Sequence, residues 1–141
     1  MYFSGTFEHT LDDRGRIAVP AAFRPAFLAG ATLRPTPEGC IELYTAEGFE
    51  TEVRRRLTGD DESSRTLGAR RTRRSFLADA LPADLDKQGR IVIPPALRAA
   101  TLPDAKVSII GCGDFMEIWA SERWAREREA IAAIAAQEAG A

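Results

Sequence analysis

The chain has 141 residues, with 19 Lys+Arg against 21 Asp+Glu, one His and two Cys, for a formal net charge of -2. At 45% apolar and 28% charged residues it has the composition of one or two small globular domains, which excludes disordered, collagen-like and disulfide-framework chains. Its apolar runs fall far short of the roughly 20 residues of a membrane helix, no signal peptide is read at its start, and the charge is unpromising for a nucleic-acid binder until its distribution is known.

In chain order, alternation predicts strands over Tyr2 to His9 and Arg16 to Val19, separated by Asp12-Asp13-Arg14-Gly15. Asp at the first and Gly at the last position are the preferences of a type I turn, so a β-hairpin is expected. Pro20 stops the second strand and suits the first turn of a short helix ending near Leu28. Strands near Ala31 to Arg34 and Cys40 to Tyr44 follow. A helix over 46–57 comes next, capped by Thr45, with Phe49, Val53 and Leu57 as its buried stripe. The stretch 59–64 reads as a solvated loop and leads into a basic segment, 65–74, which can be helical despite Gly68. The same order then recurs. Strands over Phe76 to Ala83 and Arg90 to Ile93 flank Asp86-Lys87-Gln88-Gly89, and a short helix runs from Pro94 to about Ala100. Strands near Lys106 to Ile110 and Phe115 to Trp119 precede a helix after Ser121, with Trp124, Ile131 and Ile134 or Ala135 on one stripe.

The recurrence is an internal repeat. Leu11 to Arg24 aligns with Leu85 to Arg98 at an offset of 74 residues, with 8 of 14 positions identical, and Ile41 to Phe49 then matches Met116 to Trp124. The chain divides into a first half (5–47), helices and a basic connector (48–75), a second half (76–119) and a C-terminal helix (120–141). A half of this size is marginal alone, so the two should pack together as a β-rich, pseudo-two-fold α+β unit of a kind that often self-associates.

The repeated turns place Arg14 and Arg16 in one half and Lys87 and Arg90 in the other. Two readings stand side by side. Asp12, Gly15, Asp86 and Gly89 can simply make the turns while the basic residues solvate them; alternatively the arginines grip a duplex, pairing their forked N–H groups with phosphate or with guanine O6 and N7. Arg70, Arg71, Arg73 and Arg74, with Arg54, Arg55 and Arg56 upstream, read as a solvated helix face or a secondary phosphate contact. Trp119 and Trp124 correspond to Tyr44 and Phe49 and read as helix-on-sheet packing. Cys40 and Cys112 lack metal-ligand or disulfide spacing and are expected as buried or half-buried free thiols. His9 has no evident Ser or Cys partner and no phosphate loop or H-E-x-x-H is present, so no catalytic, metal or cofactor site is expected.

The doubled L-D-x-x-G-R-I-x-h-P-x-x-h-R element (h, apolar), with Ile41-Glu42-Leu43-Tyr44 and Met116-Glu117-Ile118-Trp119, resembles the MraZ family of bacterial transcriptional regulators and, more broadly, the AbrB/SpoVT swapped-hairpin superfamily. The resemblance runs from about Gly5 through Trp124. It implies a double-split β-barrel built from two tandem AbrB-like halves. The implied DNA-binding face contains Asp12 to Arg16 and Asp86 to Arg90, and the implied assembly is a ring, octamer or dodecamer, on promoter direct repeats of double-stranded DNA. The implied role is cytoplasmic, nucleoid-associated repression of the protein's own division and cell-wall gene cluster. An AbrB-type antitoxin and a structural ring without specific DNA contact are the alternatives. The two turns differ, Arg14 facing Gln88 in the alignment and the charge moving to Lys87, so the halves need not contact DNA equally.

Overall fold

The computed structural model describes residues 2–57 and 66–140; the expected loop over 59–64 and Arg65 lie outside the described residues. From the N-terminus come β1 (Thr6–Thr10), β2 (Arg16–Ala18), a 3-10 helix (Ala21–Phe27), β3 (Ala31–Pro35), β4 (Ile41–Thr45) and α1 (Ala46–Leu57). Then come α2 (Leu67–Leu77), β5 (Leu81–Ala83), β6 (Arg90–Val92), α3 (Pro95–Thr101), β7 (Lys106–Gly111), β8 (Met116–Ala120) and α4 (Ser121–Gly140).

Six strands form one antiparallel sheet in the order β1-β7-β8-β4-β3-β5, and β2 and β6 pair as a separate two-stranded ribbon. The order is its own mirror across the β8–β4 junction. Each half supplies a hairpin, β3–β4 or β7–β8, and lends its first strand to the other half's hairpin: β1 pairs with β7, and β5 with β3. The simple β-hairpins expected around the two Asp-x-x-Gly turns are therefore not formed. Each turn is closed locally, Gly15 N–H donating to the Asp12 carbonyl at 3.0 Å and Asp12 N–H to the Arg16 carbonyl at 3.1 Å, but the flanking strands diverge into different sheets. Alternation specifies which face of a strand is buried, not which strand it pairs with.

That alternation sorts the sheet into two faces. On the inner one, Leu33, Ile41, Leu43, Val107, Ile109, Met116 and Ile118 are buried and pack with Ile17, Val19, Ile91 and Ile93 from the ribbon and its continuation. On the outer one, helices cover the residues between. Phe49 of α1 packs on Tyr44 with ring centroids 5.5 Å apart, and in the equivalent position Trp124 of α4 packs on Trp119 at 5.7 Å, as the repeat predicts. The cap at Thr45 is present, its hydroxyl accepting from Gly48 N–H at 2.9 Å. Glu8 of β1 accepts hydrogen bonds from Ser108 and Ser121, fastening a first-half strand to the start of α4.

Three further expectations need correction. Residues 76–80 are not strand: Phe76 lies in the last turn of the helix of the basic segment, where it stacks on Phe49 at 5.5 Å and lies under the guanidinium of Arg34. Burial against α1 extends the helix, and only Leu81–Ala83 remains for the sheet. In α1 the most buried residue is Glu52, ion-paired with Arg55 and Arg56, while Phe49, Val53 and Leu57 are half-buried. The stripe of α4 is buried only at its start. At 20 residues the helix is about 30 Å long and outruns the sheet, leaving Ile131 and Ile134 51% and 56% exposed.

Because the halves exchange strands, they should unfold together. Ile17→Ala and Ile91→Ala each remove a fully buried side chain and should cost about 2–5 kcal/mol. Trp119 lies in the second half and Trp124 in the C-terminal helix that follows it, so the first-half variant tests the coupling. Ile17→Ala should shift the melt followed by tryptophan fluorescence as far as that followed by far-ultraviolet circular dichroism, and an unshifted fluorescence melt would contradict the exchange.

Candidate nucleic-acid interface

Each repeated turn is built by its aspartate. Asp12 Oδ1 accepts the backbone N–H groups of Arg14 and Arg16 at 2.9 and 2.8 Å, and Asp12 Oδ2 accepts Arg16 Nε at 2.6 Å. Asp86 repeats the pattern with Gln88 and Arg90, whose Nε lies 2.9 Å from Oδ2. One carboxylate thus closes the turn and orients the arginine that directly follows the glycine. These bonds favour the charged form. The Arg16 amide first, with its guanidinium and the Arg14 amide, holds the Asp12 carboxyl below the usual carboxylate range, and the Arg90 amide does the same for Asp86. Bracing through Nε leaves the outer edge of the Arg16 guanidinium, its two Nη groups, as the part that a partner can meet. Arg16 makes no other side-chain bond among the described residues. Arg90 also donates to Gln88 Oε1 and lies 3.9 Å from Asp12, so the two turns touch.

They touch because β2 and β6 pair antiparallel, Arg16 opposite Val92, Ile17 opposite Ile91 and Ala18 opposite Arg90. Ile17 and Ile91 point into the core. The other face of the ribbon carries Arg16, Ala18, Arg90 and Val92, with Arg14 and Lys87 exposed on the turns at its ends. The sheet-like bonding runs past the ribbon: Val19 N–H donates to the Gly89 carbonyl at 2.9 Å and Ile93 N–H to the Gly15 carbonyl at 2.8 Å.

Two further arginines, Arg24 and Arg98, close the motif in both copies, and nothing in their local sequence assigns them a role. Gly15 and Gly89 have φ of 73° and 78°, the left-handed region that glycine enters without strain. A Cβ on Gly15 would overlap the Arg98 guanidinium, and one on Gly89 would overlap that of Arg24. Each glycine therefore leaves room for an arginine of the opposite half, and Arg24 Nε is further held by the Val19 carbonyl at 2.9 Å. Their recurrence at the same offset as Arg16 and Arg90 was the available signal.

Arg70, Arg71, Arg73 and Arg74 lie on α2, which packs through Phe76 against Phe49 and Arg34 on the outer face of the sheet. The ribbon packs on the inner face. The structure does not bring these four arginines together with the ribbon. Cys40 and Cys112 are free thiols, buried and half-buried, and burial pushes both up to about 12.

The chain matches a protein-family model described as "MraZ protein, putative antitoxin-like" over residues 2–74 and 76–140. It is 35% identical over 133 residues to a protein of Thermomicrobium roseum named "Transcriptional regulator MraZ", covering 93% of this chain and 90% of that one. Proteins of the same name from Lactiplantibacillus plantarum and Kocuria rhizophila are each 38% identical over 122 residues, covering 86% of this chain and 84% and 83% of theirs.

Gly15→Ala should cost about 1–2 kcal/mol for the left-handed backbone and more for the overlap with Arg98. Arg98→Ala should remove the second part, so a double-mutant cycle by thermal denaturation should show coupling; simple additivity would contradict the interlock. Because Asp12 and Asp86 titrate low in the folded chain, the stabilisation they give is complete at neutral pH. It should be lost only as pH falls below the ordinary carboxylate value of about 3.9. Protection of the Arg16 and Arg90 Nε–H protons from exchange, measured by NMR relative to free arginine at the same pH, should persist from pH 8 to 5 and vanish below that threshold. Loss nearer neutrality would contradict the bracing.

Proposed function

The chain belongs to the MraZ family, and from that premise we propose that it is a sequence-specific DNA-binding regulator of transcription that reads duplex DNA with the β2–β6 ribbon. The observation that carries this is the pair of arginines, Arg16 and Arg90, on one face of a two-stranded ribbon, each braced by an aspartate through Nε. A B-form major groove is wide enough to admit such a ribbon. A guanidinium whose outer edge is presented in a fixed orientation suits bidentate pairing with guanine or phosphate, with less entropy lost on binding than a free side chain. Arg14 and Lys87 at the ends of the ribbon supply backbone contacts that fix its register.

The exchanged strands and shared ribbon support reading the fold as a double-split barrel of two swapped-hairpin halves, 5–47 and 76–119. The regulatory setting proposed with it is repression of the chain's own division and cell-wall gene cluster, at the nucleoid in the cytoplasm, as a ring of eight or twelve copies on direct repeats. A ring gains affinity from effective concentration without new contacts, which suits a chain whose net charge of -2 gives little non-specific attraction to DNA. Exposed Tyr2, Leu28, Ile131 and Ile134 offer apolar surface for such assembly. An antitoxin of the AbrB type would carry a disordered toxin-binding tail; here 121–140 is helix.

Arg16→Ala and Arg90→Ala should each weaken binding to the DNA upstream of the reading frame by about 1–3 kcal/mol per lost base contact. Fluorescence-anisotropy titration measures this, and undiminished binding by the double variant would sink the proposal.

A further inference from the structure

The ribbon's exposed face carries one residue that neither its charge nor the core explains. Val92 is 51% exposed, at the end of β6 directly across from Arg16. Its neighbours Ile91 and Ile93 are fully buried on the other side, so the fold gains little from a branched apolar side chain there. At the pseudo-equivalent place in β2 stands Ala18, opposite Arg90. The face thus pairs arginine with a bulky apolar group at one position and with a small one at the other.

Resting on the reading of the ribbon as a DNA-binding face, we propose that Val92 is a base-specificity residue, packing on the 5-methyl group of a thymine in the DNA element that Arg16 engages. The flanking Arg16, Arg90, Arg14 and Lys87 select a polyanion, and a bulky apolar side chain among them needs an apolar counterpart on that polyanion. On the major-groove edges of the four base pairs, thymine's methyl is that group. Uracil lacks it, and the A-form major groove of RNA is too narrow for side chains to read, so the occupant is duplex DNA. With Ala18 in the matching place, the contact is one-sided. A ribbon with a pseudo-two-fold backbone thereby reads a sequence that is not palindromic.

The test titrates the full chain, as wild type and Val92→Ala, against a duplex from its own upstream region in two forms, one with thymine and one with every thymine replaced by deoxyuridine. The exchange keeps base pairing and removes only the methyl. Wild type should bind the uracil duplex about fourfold more weakly for each methyl contacted, the equivalent of burying one carbon group. Val92→Ala should bind both duplexes alike, at the wild type's weaker level. Val92→Thr, which keeps a methyl in place and guards against a folding effect of the alanine, should retain sensitivity to uracil. Equal, tight wild-type binding to both duplexes overturns the role of Val92 and leaves the DNA-binding reading standing. Undiminished uracil sensitivity in Val92→Ala also overturns it, since the methyl is then read elsewhere. Absence of saturable wild-type binding to the thymine duplex overturns both.

Discussion

Each half of this chain completes the other's turn. The carbonyls of Gly15 and Gly89 accept hydrogen bonds from Ile93 and Val19 across the halves, and the side left open by each glycine is filled by the opposite half's arginine, Arg98 or Arg24. Everything else on the inner face follows from that interlock. It brings β2 and β6 side by side, seals Ile17 and Ile91 beneath them and turns the intervening residues outward as a single surface. A turn that formed an ordinary hairpin with its own strands would present one arginine; the exchange presents two, related by a pseudo-two-fold axis.

The aspartates convert position into orientation. Asp12 and Asp86 each accept two backbone amides and one guanidinium Nε, so the same carboxylate that shapes the turn fixes the arginine. A net charge of -2 is then compatible with a nucleic-acid reader. Several other cations are paired within the fold, Arg34 with Glu42 and Arg55 and Arg56 with Glu52. Under the proposed function, contact with DNA would fall to a few braced arginines, and affinity would depend on placement more than on total charge.

Local chemistry was legible in the sequence wherever one short segment decides the outcome. The Asp-x-x-Gly turns, the cap at Thr45, the limits of α1 and the aromatic pairs Tyr44–Phe49 and Trp119–Trp124 all follow from spacing and residue type. What depends on a distant segment was not legible. Alternation in β1 and β2 says which face is apolar and nothing about their partners, so the exchange of strands does not follow from it and was implied only by the resemblance to swapped-hairpin proteins. Phe76 reads as a strand residue until α1 is beside it, and Ile131 and Ile134 read as buried until the sheet is seen to end. Arg24 and Arg98 look like ordinary helix residues because the glycine each one meets is in the other half.

The central claim is that the β2–β6 ribbon, and not the arginine-rich α2, is the surface that meets DNA. An NMR titration with a duplex from the chain's own upstream region, following the Arg side-chain Nε–H signals, tests it most directly. Arg16 and Arg90 should shift together and saturate at one affinity while Arg70, Arg71, Arg73 and Arg74 stay in place. Saturable shifts confined to the four α2 arginines, with Arg16 and Arg90 unmoved, would contradict it.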